Sequence, residues 1–243
     1  MLLRLPGSVS EAQECLTEGA VPIGGATLVW ATWQRDGFPE QAMSLRNLPE
    51  ANAIEPGVLG AAVVLNRIDE RVPEVLRRAA ATIGTGAVRR TATVGGNLVG
   101  SSLRCLLPAA LVLDARATVL GPDAVYETDV AEVVAKRHLL LSLRWREPIA
   151  SGYRKLEGEA GGPPPFVVAA AVHADDGERR RLQVAVRDGY EVLSGGTPCD
   201  RDDRDAEQVL HELRDTAIGA LDATAWAVVH RQVRDLLARS ADR

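Results

Sequence analysis

The sequence has few of the residues that hold metal clusters. Its 243 residues include only three cysteines, at positions 15, 105 and 199, and no Cys-x-x-Cys pair. An ordinary all-cysteine iron–sulfur cluster needs four thiolates and is therefore excluded within this chain. A sparse, odd number of cysteines is typical of a reducing compartment and predicts a cytoplasmic location. The four histidines are scattered without metal-ligand spacing, so we expect no metal site.

Long apolar runs and excess positive charge are also missing. No run approaches the roughly 20 apolar residues of a membrane-spanning helix, and the first six residues lack the features of a signal peptide. The net charge of −5 argues against electrostatic binding to nucleic acid. We therefore expect no membrane and no nucleic acid among the partners. The composition, 46% hydrophobic and 25% charged, is that of a globular protein with one large or two modest domains.

Two glycine pairs are the most informative feature that is present. Gly24-Gly25 and Gly95-Gly96 each follow an apolar segment and have hydroxyl or amide side chains nearby. Glycine can adopt positive φ and lets backbone N–H groups approach a ligand closely. Successive N–H groups form a concave nest that suits a phosphate, and two nests would hold a pyrophosphate from both sides. A single Gly-Gly pair is more often only a tight turn, so each pair alone leaves both interpretations open.

The first 147 residues alternate strands and helices. Ser8 and Glu11 have the spacing of a capping box at the start of a helix, and Gly19 marks its end. The apolar pattern predicts strands at residues 2–5, 21–23, 42–45, 58–65 (with a bulge at residue 60), 117–120 and 138–143. It predicts further helices at residues 28–33, 73–83 and 109–113.

The composition changes after residue 147. Strands are predicted at residues 152–156, 166–173 and 181–186, with a hairpin turn at 175–177, a solvated charged loop at 200–205, and helices at 206–218 and 223–238. This pattern predicts an antiparallel sheet with helices on one face. The fold class is α+β, with two expected domains: residues 1–147, in lobes of about 1–50 and 51–147, and residues 148–243.

Four stretches carry a resemblance to a known family. Residues 88–98 are similar to the Ile-Arg-Asn-x-x-Thr-Ile-Gly-Gly-Asn-Leu loop of the FAD-binding, or medium, subunits of molybdenum hydroxylases such as carbon monoxide dehydrogenase and xanthine dehydrogenase. Residues 22–28 resemble that family's first flavin loop, usually Ala-Gly-Gly-Thr-Asp-Leu, and residues 59–63 resemble its Ile-Gly-Ala strand. Residues 153–155 look like its Tyr-x-Lys motif. The resemblance spans almost the whole chain and implies a PCMH-type fold, with a βαβ lobe, a mixed α/β lobe and a small C-terminal domain.

The resemblance implies FAD as the cofactor, held between the two lobes. Its pyrophosphate would contact both glycine loops and its flavin ring would lie near the C-terminal domain, where the Lys155 cation would favour the reduced flavin. The cofactor-binding residues implied in this way are Ile23, Gly24, Gly25, Ala26, Thr27, Leu28, Thr93, Val94, Gly95, Gly96, Asn97, Arg104, Cys105, Leu106 and Lys155.

The chain departs from the family's pattern at two places. Ala26-Thr27 stands where the family usually has Thr-Asp. Beyond Asn97, Cys105 falls nearest to the position of a family Asp, and a thiol is a poor acceptor for sugar hydroxyls. Arg104 is introduced in the same segment, where it would either clamp a phosphate or extend into solvent.

The resemblance implies a flavoprotein oxidoreductase subunit. It would relay electrons from iron–sulfur clusters in a partner chain to NAD, oxygen or another acceptor, while a molybdopterin subunit oxidises the substrate. A second hypothesis is a stand-alone flavin enzyme acting on a small molecule, for which Tyr153, Glu157 and His173 are candidate bases and Tyr153 and Lys155 the candidate catalytic residues. A third is a non-redox scaffold that has lost FAD.

Overall fold

The computed structural model describes residues 1–159, 161–175, 179–199 and 206–241. The chain divides into two compact units, each built from three separate stretches. The first unit comprises residues 1–72, 80–106 and 115–145, and the second comprises 73–79, 107–114 and 146–243. Among the described residues, no helix combines the length and apolarity that crossing a membrane demands.

The first unit begins with the predicted strand, helix, strand, glycine loop and helix. Its opening elements are β1 (Leu2–Arg4), α1 (Val9–Thr17), β2 (Val21–Pro22), α2 (Val29–Asp36) and β3 (Gln41–Met43), and the three strands form a parallel sheet in the order β1-β3-β2. The predicted helix cap is confirmed: Ser8 Oγ accepts the Glu11 N–H at 3.2 Å, and the Glu11 carboxylate accepts the Gly7 N–H at 2.8 Å. The cap fixes the start of α1; at its other end Gly19, with φ of 81°, turns the chain towards β2 and the first glycine pair.

The rest of the first unit is built on an antiparallel sheet in the order β4-β5-β8-β6-β7. Its strands are β4 (Ile54–Glu55), β5 (Val58–Gly60), β6 (Arg116–Leu120), β7 (Val125–Asp129) and β8 (Leu140–Arg144), and its helices are α3 (Pro49–Asn52), α5 (Gly86–Arg89) and α7 (Val130–Lys136). Strand β7 was not predicted, because it is an edge strand with four of its five residues exposed and has no apolar alternation.

The strand predicted at residues 58–65 is much shorter than expected. β5 ends at Gly60, where a Cβ would lie 2.2 Å from the Ala51 carbonyl oxygen, so this glycine permits close backbone packing and is not a bulge. Residues 61–65 hydrogen-bond to the second glycine pair's loop, through Val94 N–H to Val63 O at 3.0 Å and Leu65 N–H to Ala92 O at 2.9 Å. Residues 61–65 of the apolar run therefore do not continue the strand but hydrogen-bond to the second glycine loop.

The second unit has the predicted antiparallel sheet, in the order β12-β11-β10-β9. Its strands are β9 (Ala150–Lys155), β10 (Val167–Ala174), β11 (Arg180–Asp188) and β12 (Glu191–Pro198). Helices α8 (Ala206–Leu213) and α9 (Ala223–Ala241) share an apolar core with one sheet face. The predicted hairpin turn, apart from Asp175, and the charged run at 200–205 lie outside the described residues.

Two features of this unit differ from the sequence prediction. β12 was not predicted, because it contains Gly195-Gly196. A Cβ on Gly195 would lie 2.2 Å from Thr216 Oγ1, and one on Gly196 would lie 2.4 Å from Gln183 Oε1. In addition, α6 (Leu107–Val112) packs against the other sheet face, so the helices are not confined to one side. Helix α4 (Glu74–Ala81) begins in this unit and ends in the first.

Candidate cofactor site

The first glycine loop, residues 23–28, continues directly from β2. Ile23 N–H bonds to the Met43 carbonyl oxygen at 2.8 Å, which extends the parallel ladder to the edge of the glycine pair. Gly24 and Gly25 do not have positive φ, whereas Ala26 does, at 58°. A left-handed alanine costs about 1–2 kcal/mol relative to an ordinary conformation. The loop therefore bends at the position where the family usually has a threonine.

The backbone N–H groups of this loop are unpaired. From Gly24 to Val29, six consecutive N–H groups have no acceptor among the described residues, and Trp30 N–H is the first to bond, to Ala26 O at 3.1 Å. The N-cap residue of α2, Leu28, offers no side-chain acceptor. A helix start with free N–H groups carries a partial positive charge and suits an anion. The loop and the first turn of α2 together form a run of donors.

The second glycine loop, residues 91–97, has most of its N–H groups already bonded. Val94 N–H bonds to Val63 O at 3.0 Å, and Gly95 N–H bonds to Ala61 O at 2.9 Å. Gly96 N–H bonds to Thr93 Oγ1 at 3.2 Å, and Asn97 N–H bonds to Thr93 O at 2.9 Å. A π-helical turn follows at Gly96–Gly100, where Ser101 N–H bonds to Gly96 O at 3.1 Å. The second loop is therefore a rigid support whose donors are used within the chain.

The two glycine loops are in direct contact. A Cβ on Gly24 would lie 2.4 Å from Thr93 Oγ1, and one on Gly25 would lie 1.6 Å from the Thr91 carbonyl oxygen. A Cβ on Gly95 would meet Ala61 at 3.1 Å. None of these glycines uses positive φ, so the physical reason for glycine here is close approach of neighbouring atoms: the Thr93 side chain at Gly24, the Thr91 backbone at Gly25 and Ala61 at Gly95. The contact fixes the free donors of the first loop against the bonded second loop.

The segment after the second loop is held by Asn97. Its Oδ1 accepts the Leu106 N–H at 2.9 Å, and both residues are buried. The Cys105 side chain is 7% exposed and that of Leu106 is fully buried, so both belong to the core. The Asn97 amide oxygen therefore serves the fold of this segment.

Arg104 lies in the same segment and has an unusual environment. Its φ is 43°, and its buried Nε has no hydrogen-bond partner. Its guanidinium forms no ion pair within the described part of the chain. Residues 75–113 contain no Asp or Glu and include five arginines. Residues 88–106, which contain the second loop and Arg104, therefore provide no acidic side chain as a counter-charge.

The other predicted site residues lie in different surroundings. Thr27 is exposed. Tyr153 and Lys155 lie on β9 in the second unit, where Tyr153 is buried and Lys155 is half-buried. His173 is buried in that unit with its Nε2 2.7 Å from the Val112 carbonyl oxygen, which requires the proton on Nε2, and Glu157 is exposed. Within the described ranges, no group of three or more His, Cys, Asp or Glu side chains could hold a metal ion.

The free donor run of the first loop is the feature that the sequence motif did not reveal. The motif draws attention to the second loop, because its residues match the family pattern best. The signal in the sequence was Leu28, which precedes α2 where Ser, Thr, Asp or Asn would ordinarily cap a helix. A glycine pair followed by an uncapped helix start indicates donors that await an external acceptor.

Comparison with known proteins gives a family and a fold. Residues 3–139 match the sequence profile of a family described as the FAD binding domain in molybdopterin dehydrogenase. No curated protein sequence matches the chain.

Three solved structures resemble the whole chain. Quinoline 2-oxidoreductase from Pseudomonas putida 86 superimposes with a TM-score of 0.71 at 18% identity, covering 99% of this chain and 98% of that chain. The cyanide-inactivated form of Cu,Mo-CO dehydrogenase gives 0.70 at 17% identity, and reconstituted CO dehydrogenase from Oligotropha carboxidovorans gives 0.70 at 18%. Both of these comparisons cover 100% of this chain and 98% of the other. At such identities the likeness establishes the fold.

Proposed function

The chain belongs to the family of FAD-binding domains of molybdopterin dehydrogenases, and we propose that it relays electrons within a multi-chain molybdenum hydroxylase. Membership makes FAD its cofactor and places it among the FAD-dependent oxidoreductases. FAD supplies the redox chemistry, exchanging electrons one or two at a time, and the protein supplies binding and orientation. The observation that carries the proposal is that the matched residues 3–139 include both glycine loops.

The residues present fit the anionic part of FAD. The pyrophosphate carries permanent negative charge, and residues 24–29 offer six free N–H groups, five in the first loop and one at the start of α2. The two loops touch at positions where no Cβ could be accommodated, so the donors are held without side chains between them. Neither loop contains an acidic residue that would repel the phosphates.

The cysteines support a division of labour between chains. Cys15, Cys105 and Cys199 are buried thiols that form no disulfide, and three cysteines are too few for a four-thiolate cluster. Electrons would therefore come from iron–sulfur clusters in a partner chain, with substrate oxidation at the molybdopterin cofactor of another. The external acceptor is NAD, oxygen or another small molecule. Thiols outside any disulfide also support a reducing, cytoplasmic setting.

The test begins with the isolated chain. Purified protein titrated with FAD should show saturable quenching of flavin fluorescence and a stoichiometric visible flavin spectrum. A chain that remains colourless and binds no added FAD would overturn the proposal and favour a scaffold without redox function.

A second measurement separates a subunit from a stand-alone enzyme. Purification from the native host should recover the chain with iron–sulfur and molybdopterin-containing partners, and their substrate should reduce the flavin anaerobically. Turnover of a small substrate by the isolated, FAD-loaded chain at the rate of the native preparation would contradict the relay role.

A further inference from the structure

Arg104 is a cation without a counter-charge. Its Nε is buried and unpaired, and no carboxylate or carbonyl group of the described residues bonds to its guanidinium. Burial of an unsatisfied polar group is unfavourable, and more so for a charged one. The cost is offset if an anion binds there.

The backbone at Arg104 is held in a conformation that arginine disfavours. Its φ of 43° lies in the left-handed region, where a side chain with a Cβ is strained. Two hydrogen bonds hold the chain on either side. Ser101 Oγ accepts the Leu103 N–H at 3.2 Å, and Asn97 Oδ1 accepts the Leu106 N–H at 2.9 Å. Strain that persists between two anchors is typical of a residue held for binding.

The segment that carries Arg104 adjoins the first glycine loop. A Cβ on Gly100 would lie 3.9 Å from Leu28 Cδ1, so the turn that leads into this segment touches the end of that loop. Arg104 follows four residues later, and all of these residues belong to the first unit. The segment that carries Arg104 and the loop that carries the free N–H groups are therefore in contact at Gly100 and Leu28, within one unit.

We propose that Arg104 pairs with the pyrophosphate of bound FAD and makes the site select FAD over flavins without a pyrophosphate. The inference rests on the proposed flavin-binding function. The oxidised flavin ring is neutral, so the pyrophosphate is the part of FAD with permanent negative charge. A guanidinium offers two parallel N–H groups to phosphate oxygens, and such charge-assisted bonds are strong. The unpaired Nε would gain the acceptor that the protein does not provide.

The test compares affinities for FAD and for riboflavin, which has no phosphate. Arg104→Gln should raise the Kd for FAD about 10- to 100-fold, in line with the loss of a charge-assisted hydrogen bond, and leave the Kd for riboflavin unchanged. Arg90→Gln is the matched control, because Arg90 is exposed, has the same charge and lies beside the second loop. It should change neither Kd by more than about twofold.

A second variant separates binding from folding. Arg104→Gly removes the guanidinium and relieves the left-handed strain, so it should raise the melting temperature of the FAD-free chain while weakening FAD binding as Arg104→Gln does. Wild-type affinity for FAD in both variants would overturn the role of Arg104 but not the proposed function. A loss of riboflavin affinity equal to the loss of FAD affinity would have the same consequence. Failure of the wild-type chain to bind FAD would overturn the proposed function as well.

Discussion

Contact distances explain the glycines of the two loops. Gly24 and Gly25 lie where a methyl group would overlap Thr93 or the Thr91 backbone, and Gly95 packs on Ala61. The glycine pairs are visible in the sequence, but the sequence does not show whether positive φ or lack of space requires glycine at these positions. For Gly24 and Gly25, the residues that fill the space are about 70 positions away in the chain, and only the folded chain brings them into contact.

Replacing Gly25 by alanine should separate the loops. The new Cβ would lie 1.6 Å from a backbone oxygen, which cannot move away as a side chain could. We expect a loss of about 3 kcal/mol in the free energy of unfolding, measured by urea denaturation, and weaker FAD binding. Gly86→Ala is the matched control. A methyl group on Gly86 would have no atom within 4 Å, and the residue has no positive φ, so this variant should be at least as stable as the wild type. A Gly25→Ala chain of wild-type stability would contradict the contact.

Asp69 should make a contribution to stability that is lost in acid. Hydrogen bonds from the Arg71 side chain, and then from its backbone N–H, lower the pKa of Asp69 from 3.8 to about 2. The folded pKa is below the unfolded one, so the contribution is complete above about pH 4 and disappears as the pH falls through about 2. Titration of the Asp69 carboxyl by carbon NMR should give a value near 2, and Arg71→Gln should return it towards 3.8. An unchanged titration in Arg71→Gln would remove Arg71 as the cause.

The two loops differ as structural elements. The first presents free N–H groups at the start of α2, and the second donates its N–H groups to residues 61–63 and to Thr93. The first loop, where this chain has Ala26, can bind through its backbone, which does not depend on whether residue 26 is Thr or Ala.

Amide hydrogen exchange should reveal this difference directly. Without FAD, the amides of residues 24–29 should exchange quickly, whereas those of residues 94–97 should already be protected. Addition of FAD should slow exchange mainly at residues 24–29, because these donors gain an acceptor. NMR-detected exchange resolves each amide, and the bonded amides of α9 serve as an internal reference. Protection that appeared only at residues 94–97 would assign the anion to the second loop.

Secondary structure was predictable where the apolar pattern is strong. The capped α1, the short strands around α2 and the helices α8 and α9 follow from caps and periodicity. The pattern was uninformative for β7, an exposed edge, and for β12, whose glycines accommodate Thr216 and Gln183. Prediction from neighbouring residues in the sequence does not take these tertiary contacts into account.

At the scale of the whole molecule, the two units are not successive stretches of sequence. Residues 107–114 belong with the sheet of the second unit, where Val112 O accepts from His173 and Asp114 pairs with Arg181 and Gln183. The apolar composition of α6 predicts that it is buried, but not against which sheet. The order of the predicted elements followed from the apolar pattern, whereas this exchange of segments did not.

A fragment that ends at residue 147 should therefore be less stable than the full chain. Without β9–β12, the apolar face of α6, including the buried Val112, would lose the sheet that covers it. We expect the fragment to bind a hydrophobic dye and to unfold at lower urea than the full chain. Val112→Ser is the control. In the fragment it should reduce dye binding. In the full chain it should lower the free energy of unfolding by about 2 kcal/mol or more, because a hydroxyl replaces packed methyl groups. A fragment as resistant to urea as the full chain, and without dye binding, would show that residues 107–114 need no cover from the second unit.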